Sequence, residues 1–402
     1  MLKTKPNGKS RENALKLNRY ELHSVLVIGT IIALRLLGIF LIVPVFSIYA
    51  VNYEGATLSS AGVAFGIYAL TQSLLQIPFG MASDRFGRKP VIVVGLLIFC
   101  IGSVLCAFAD NIWELIITRA IQGSGAIGAV AIAILGDCTR NEVRAQSFML
   151  TGIIIGIAFI ISLIVGPVLA ANFGFESLFF ILAALGLVAV FVTLFLFPEL
   201  PKKKTRNRKE ILLKLREPEV GKILSSTFIT SICLNLILFI YPLDWRNIGT
   251  EPQDLWFVYL VILAPSALLA NAYIRISETR KKLKQATRLG LLFLVAAFSI
   301  YLLRASDSIT LYLAGAVFFL GYSIFQSILP AFVTQRVSSE NRGVLSGFFN
   351  LANFMGACIG GMSAGILYET HESLPLIFGL LFLILWRFIG LPGSPLEQTE
   401  RE

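Results

Sequence analysis

The sequence predicts an all-α polytopic membrane protein whose twelve transmembrane helices form two pseudo-symmetric six-helix bundles. Three observations carry this reading. The 402 residues are 56% hydrophobic and only 14% charged, with a mean hydropathy of +0.78, more apolar than a soluble domain tolerates. Apolar runs long enough to cross a hydrocarbon core of ~30 Å recur twelve times. The basic residues also alternate sides: 29 of the 34 Lys and Arg lie at the termini or in alternate loops, and only Arg246 and Arg304 lie in the opposite loops. Arg35, Arg119 and Arg387 fall within the runs. Retention of cations on the inner side then predicts that both termini are cytoplasmic.

Taken in order, the first run covers 23 to 50 and follows some twenty polar, basic residues without an A-x-A cleavage pattern. It far exceeds a signal-peptide h-region and is expected to be retained as a helix. Five further runs cover 60 to 81, 91 to 109, 112 to 136, 146 to 171 and 176 to 198. The longest polar interval follows, Glu199 to Gly221, rich in Lys and Arg from Lys202 to Arg216. Six more runs cover 221 to 243, 253 to 274, 286 to 304, 309 to 334, 344 to 368 and 374 to 392. The interval divides the helices evenly, predicting an N-terminal bundle 1–198, a basic cytoplasmic linker 199–221 and a C-terminal bundle 222–402. Arg88-Lys89 is echoed by Arg280-Lys281, and Glu142-Val143-Arg144 by Glu340-Asn341-Arg342, at offsets of 192 and 198 residues. An internal duplication would leave such echoes.

Other classes are disfavoured by the same facts. The net charge of +10 sits in short loops between apolar runs, not on one face of a domain, so nucleic acid is not an expected partner. Cysteines 100, 106, 138, 233 and 358 lie mostly inside apolar runs without paired spacing and read as core or lipid-side fillers. No metal or other cofactor is expected. H-E-x-x-H, G-x-S-x-G and G-x-x-x-x-G-K-[ST] are absent, and the two histidines, His23 and His371, lie at helix ends. A membrane enzyme therefore has no visible chemistry, and no ATP-binding motif is visible either. A membrane sensor or scaffold that binds without moving anything is the remaining rival, and flux measurements separate it from a carrier.

The stretch Gly80-Met81-Ala82-Ser83-Asp84-Arg85-Phe86-Gly87-Arg88-Lys89-Pro90 packs four charges and two glycines between long apolar runs. Pro78 and Pro90 bracket it. Gly80 is expected to allow close backbone approach and Gly87 to turn a positive-φ corner, so the stretch reads as a tight cytoplasmic turn between the second and third helices. Its cations suit that side of the membrane, but Asp84 is not needed for topology.

This run resembles the signature G-x-x-x-D-R-x-G-R-[RK] of the major facilitator superfamily. Leu34-Arg35-Leu36-Leu37-Gly38 with Pro44-Val45, and Arg119-Ala120-Ile121-Gln122-Gly123-Ser124-Gly125, resemble the first- and fourth-helix motifs of its drug/proton antiporter branch. The resemblance implies that superfamily's fold and a secondary transporter of the bacterial inner membrane working by alternating access. Proton-coupled efflux is the first expectation, and carriage of an organic anion, sugar or other metabolite the alternative. It implies a latch made by Gly80, Asp84, Arg85, Gly87, Arg88, Asp137 and Arg342, with Asp84 facing the start of helix eleven near Arg342-Gly343. It associates Arg119 with substrate or proton coupling. Gly166-Pro167 matches part of the branch's fifth-helix motif, in which Ser162 replaces a glycine and Ala170-Ala171 replace the final pair; Pro167 is expected to kink that helix. The chain ends soon after the twelfth run and is expected to lack the soluble C-terminal domain that some members carry.

Inside the membrane, an Arg at a helix centre costs about 2.5 to 3.5 kcal/mol, so Arg35 and Arg119 are expected to face the bundle interior or water and to line the central cavity. Arg387 is expected to snorkel. Gln122, Gln72, Gln76, Asn235, Tyr241, Tyr322, Gln326, Asn350 and Asn353 are further candidates for a polar pathway, and each also suits an interhelical hydrogen bond. No Asp or Glu lies at mid-membrane; Glu114 and Asp137, near opposite ends of helix four, are the acids that could titrate. A positive cavity would favour an anionic or hydrogen-bond-accepting substrate. The expected partners are a small-molecule substrate, protons and the bilayer, with the chain acting as a monomer.

Overall fold

The computed structural model describes residues 17–140, 143–199, 217–280, 282–303, 307–335 and 342–392, with the side chains of 144, 145, 334, 335 and 342–344 left out. Most of the expected linker, the Glu142 and Glu340-Asn341 echoes, Lys281 and Arg304 therefore lie outside the described residues, as do the side chains of Arg144 and Arg342.

All regular elements described are helical: α1 Arg19–Ile42, α2 Phe46–Ala50, α3 Leu58–Phe86, α4 Arg88–Ala107, α5 Ile112–Gly123, α6 Gly128–Cys138, α7 Arg144–Phe173, α8 Phe175–Leu196, α9 Pro218–Asn247, α10 Leu255–Thr279, α11 Leu283–Leu302, α12 Ser308–Gln335, α13 Arg342–Thr370 and α14 Leu374–Ile389. Among the described residues eleven helical segments are long and apolar enough to cross a membrane, α5 and α6 counting as one, and α14 is a shorter apolar helix of 16 residues. The start of α1 is set by a capping box in which Asn18 and Glu21 bond each other's backbone N–H, and Thr57 with Ser60 does the same for α3.

Three expectations change. The first span stops at Ile42 and resumes as α2 after Val43-Pro44-Val45, because a proline that deep leaves the preceding turn without its next donor. The stretch 80–90 is not a loop: α3 runs through Pro78 to Phe86, and α4 begins at Arg88. Gly87, with φ 97°, is the entire corner, a conformation only glycine adopts cheaply. Gly80 serves no close approach, since a Cβ built there meets nothing within 4 Å. The fourth span is broken at 124–127 into α5 and α6. There a Cβ on Gly123 would lie 2.3 Å from the Tyr68 carbonyl, and one on Gly125 2.2 Å from the Gly95 carbonyl. The interruption is pressed into two neighbouring backbones.

Helix α13 lies antiparallel along α3 in the most extensive helix pairing, and α9 lies against the other side of α13. A Cβ on Gly62 would lie 2.7 Å from Gly365 Cα, and one on Gly66 2.6 Å from Met362 Cγ, so these helices touch backbone to backbone. Further along, Ser73 Oγ donates to Met355 Sδ at 3.1 Å. α7 also packs on α10, Phe65 meets Phe239 edge to face, and the Arg246 guanidinium reaches the Ile48 carbonyl at 3.3 Å. These contacts join the first six spans to the last six.

Candidate functional site

Two groups of polar side chains are built by this arrangement. The first sits where α3, α4 and α6 end or begin on the side that carries the basic loops. The corner at Gly87 turns Arg88, the first residue of α4, back onto the last turn of α3, and the guanidinium lies 3.2 Å from Asp84 Oδ1 and 3.2 Å from Asp137 Oδ2 at the end of α6. Arg88 also donates to Ser83 Oγ at 2.6 Å. Arg88 is buried while both carboxylates are about a third exposed, so each pair on its own is worth ~0–1 kcal/mol and the geometry matters more than the sum. Arg85 instead lies over the Phe86 ring. Three residues beyond Asp137, Arg140 donates from Nε and Nη2 to the buried Glu21 carboxylate at 2.9 and 3.0 Å. Lys89 reaches the Leu194 carbonyl near the end of α8 at 2.8 Å. Neither Ser83 nor Glu21 is predictable from hydropathy; Glu21 carries only its capping-box signal.

The second group is interior. Arg35 Nη2 donates to Tyr68 Oη at 3.0 Å and, closer still, to Gln72 Oε1. Arg119 donates from Nη1 to Gln122 Oε1 at 2.5 Å and from Nε to the Ala64 carbonyl at 3.4 Å. Gln122 passes the network on to Ser103 Oγ at 2.8 Å. Tyr68 joins the two arginines: its hydroxyl accepts from Arg35 while the Arg119 guanidinium lies 4.8 Å from its ring centroid. Phe46 gives Arg119 a second ring at 5.3 Å, and Phe99 lies 5.6 Å from Arg35. Both arginines are 3% exposed, so they are closed within the first six spans and end on amides, rings and a carbonyl. Tyr68, Ser103, Phe46 and Phe99 are absent from the sequence-derived candidates because an aromatic or serine on an apolar helix carries no signal of its own.

Other candidates fall in three places. Gln76 Oε1 accepts the Ala129 N–H at 2.8 Å, at the start of the half-helix α6, and Gly128 beside it faces Asn350 of α13. Asn235 donates to Ser231 O at 2.9 Å, and Ser231 Oγ donates to Asn353 O at 2.6 Å, which ties α9 to α13. Tyr241 is buried among Trp245, Tyr259 and Tyr301, with its hydroxyl on Leu311 O at 2.9 Å. Tyr322 donates to Gln326 within α12 at 3.3 Å. The exposed Glu114 caps its own helix, accepting from Asp110 N at 2.9 Å and Asn111 Nδ2 at 2.7 Å. α7 runs unbroken through Pro167, and Gly166 lets it approach the last turn of α1: a Cβ there would lie 2.1 Å from the Leu41 carbonyl.

An acid missed by the sequence reading sits near the end of α9. Asp244 accepts from Tyr301 Oη at 2.6 Å and from Tyr368 Oη at 2.5 Å, binding α9 to α11 and α13.

The Major Facilitator Superfamily sequence profile matches residues 28–361. The chain is 32% identical over 360 residues to the inner membrane transport protein YajR of Escherichia coli K12, covering 88% of this chain and 79% of YajR. It is 25% identical to the quinolone resistance protein NorA of Staphylococcus aureus, over 87% of this chain and 91% of NorA. Among solved structures, the bacterial homolog of the human lysosomal transporter Spinster, inward-facing and occupied, superposes with a TM-score of 0.73 at 15% identity, covering 93% of this chain and 97% of that one.

Proposed function

The chain belongs to the Major Facilitator Superfamily, and we propose that it is a proton-coupled exporter of a small molecule that works by alternating access. It is a multi-pass membrane transporter rather than an enzyme. Export fits its likeness to a quinolone resistance protein, since moving a drug out of the cell produces resistance, and the distribution of basic residues supports a cytoplasmic side for both termini in a bacterial inner membrane. The transport unit is one chain, made of two six-helix halves joined by the basic linker.

The observation that carries this reading is the sharing of Arg88 between Asp84 and Asp137. It couples the end of α3 to the end of the broken fourth span on the basic side. The antiparallel register of α3 on α13, set by Gly62 with Gly365 and Ser73 with Met355, supports a place for Asp84 opposite the first turn of α13 when it is extended along both helices. A carboxylate there is favoured by the free N–H groups of that helix by about 0.3–1 kcal/mol. The cluster thus acts as a latch that holds the two halves together on the inside and is released when they part. Glu114 and Asp137 are the acids of the fourth span through which protons could bias that equilibrium.

Reconstituted protein under an imposed pH gradient tests the reading. Gradient-driven efflux of a lipophilic substrate that collapses with a protonophore is the expected result, and substrate movement indifferent to the gradient would overturn the coupling. A second reading, a carrier for an organic anion, is favoured by one observation: Arg35 and Arg119 are buried together, and their described hydrogen-bond partners include no carboxylate.

A further inference from the structure

Three polar atoms in one contiguous interior strip have no hydrogen-bond partner: Arg35 Nε, Gln72 Nε2 and Gln76 Nε2. Their residues are 3%, 0% and 1% exposed. Buried polar atoms are nearly always paired, so three together in one place need a cause. All three are donors. Gln72 and Gln76 stand one turn apart on α3, and Arg35 is bonded to Gln72.

The donor character does not depend on how the amides are drawn. Gln72 Oε1 accepts from Arg35 and also from Tyr68 Oη at 3.3 Å, and Gln76 Oε1 accepts the Ala129 N–H at 2.8 Å. Turning either amide over would set donor against donor, so both NH2 groups remain without an acceptor. Around the lower end of the strip the half-helix α6 begins at Gly128 with no side-chain cap at Ile127, adding the positive end of a helix dipole. A Cβ on Gly128 would lie 3.1 Å from Gln76 Nε2 and 3.8 Å from Asn350 Nδ2 of α13. Gly128, Ala129 and Asn350 are half-buried, so the strip meets the seam between the two halves at a point with some access. Arg35 brings its own charge to the strip, and Arg119 lies across the Tyr68 ring from it; Asp84 and Asp137 are engaged with Arg88, Glu21 with Arg140, and Glu114 in its cap, all at helix ends.

We propose that the strip Arg35–Gln72–Gln76, closed from the other half by Asn350, is the subsite that receives the acid group of the substrate, so that the transported molecule carries a carboxylate, sulfonate or phosphate ester. This rests on the transporter reading and names the substrate's chemistry. Acid oxygens supply the acceptors that all three donors lack. The Arg35 guanidinium and the start of α6 favour the negative charge, and Asn350 adds a donor only when the halves are together, so the bound acid draws α13 onto α3. A lipophilic cation finds every acceptor of the strip already occupied and meets the like charge of Arg35.

The test compares the purified full chain with Gln76→Glu. That variant keeps an oxygen for the Ala129 N–H and replaces the unpaired donor by an anionic oxygen of the same shape. Benzoate, benzenesulfonate and phenyl phosphate are the acid probes and phenyltrimethylammonium is the cation probe, each read by thermal stabilisation and by flux from proteoliposomes. At least one acid is expected to stabilise the wild type, the arms showing which acid class is taken, and to lose about tenfold in affinity in Gln76→Glu, a cost of about 1.4 kcal/mol. The cation is expected to bind the variant better than the wild type. Absence of stabilisation by all three acids, or acid binding unchanged in a folded Gln76→Glu, overturns the proposal. Cation flux without acid binding leaves the transporter reading standing and removes this one; acid binding without flux of any probe does the reverse.

Discussion

Glu369 Oε2 accepts the backbone N–H of Ser59 at 2.6 Å across 310 positions of sequence. Glu369 lies in the last turn of α13 and Ser59 in the first turn of α3, so the carboxylate from one half caps a helix of the other. Together with the Gly62–Gly365 contact, it draws these helix ends together on the side opposite the basic loops. A carboxylate at an exposed helix N-terminus contributes about 0.3–1 kcal/mol. Glu369→Ala should therefore raise the population open on that side about two- to five-fold, read as label distances between Ser60→Cys and Thr370→Cys. Glu369→Gln, which keeps the acceptor but not the charge, should fall between. Identical distance distributions in all three would remove the latch.

The glycine seam makes a harsher demand. A methyl group on Gly62 would meet Gly365 Cα at 2.7 Å and its backbone N at 2.9 Å, atoms that cannot swing away. Gly62→Ala should disfavour the closed seam by about 1–3 kcal/mol and leave the transporter open on that side, accessible to impermeant thiol reagents. Gly152→Ala, where a Cβ meets nothing within 4 Å, should behave as the wild type.

At the other end, Asp84→Asn keeps the shape of the Arg88 contact but removes its charge. The basic side should open more often, and turnover should fall further than membrane insertion does. Unchanged reactivity of cysteine probes facing that side would count against Asp84 as a latch. Arg88→Lys should behave similarly, because one ammonium cannot span Asp84, Asp137 and Ser83 as the planar fork does.

Tyr68 separates two roles by one atom. Tyr68→Phe keeps the ring under Arg119 and deletes the hydroxyl that accepts from Arg35. The loss of an acceptor for a buried charged donor should cost about 1–3 kcal/mol, seen as lowered thermal stability that Arg119→Lys alone does not reproduce. Transport should fall in both, and Arg119→Ala should abolish it. Full flux in a stably inserted Arg119→Ala chain would leave Arg119 as a packing residue.

Much of the architecture is legible segment by segment. Each apolar run declares itself because a backbone in lipid must satisfy its own hydrogen bonds, so length and hydropathy suffice to find a helix. Gly87 is legible for a similar reason, since no other residue makes a positive-φ corner between two helices cheaply. The intramembrane arginines are conspicuous because their cost is paid wherever they sit. Tyr68, Ser103 and Glu369 are not, because each is an ordinary residue for its helix until a partner arrives from another one.

The chain by itself determined the number and order of the spans, their basic sidedness and the residues expensive to bury, all properties of local composition acting against a uniform apolar solvent. Only the tertiary structure decided that the fourth span breaks at Ser124, that α3 runs on to Phe86, that Arg35 and Arg119 share Tyr68, and that three buried donors on α1 and α3 are left without an acceptor. Those outcomes depend on the backbone and side chains of helices far apart in sequence meeting at distances near 3 Å, and no property of one segment encodes where another will lie.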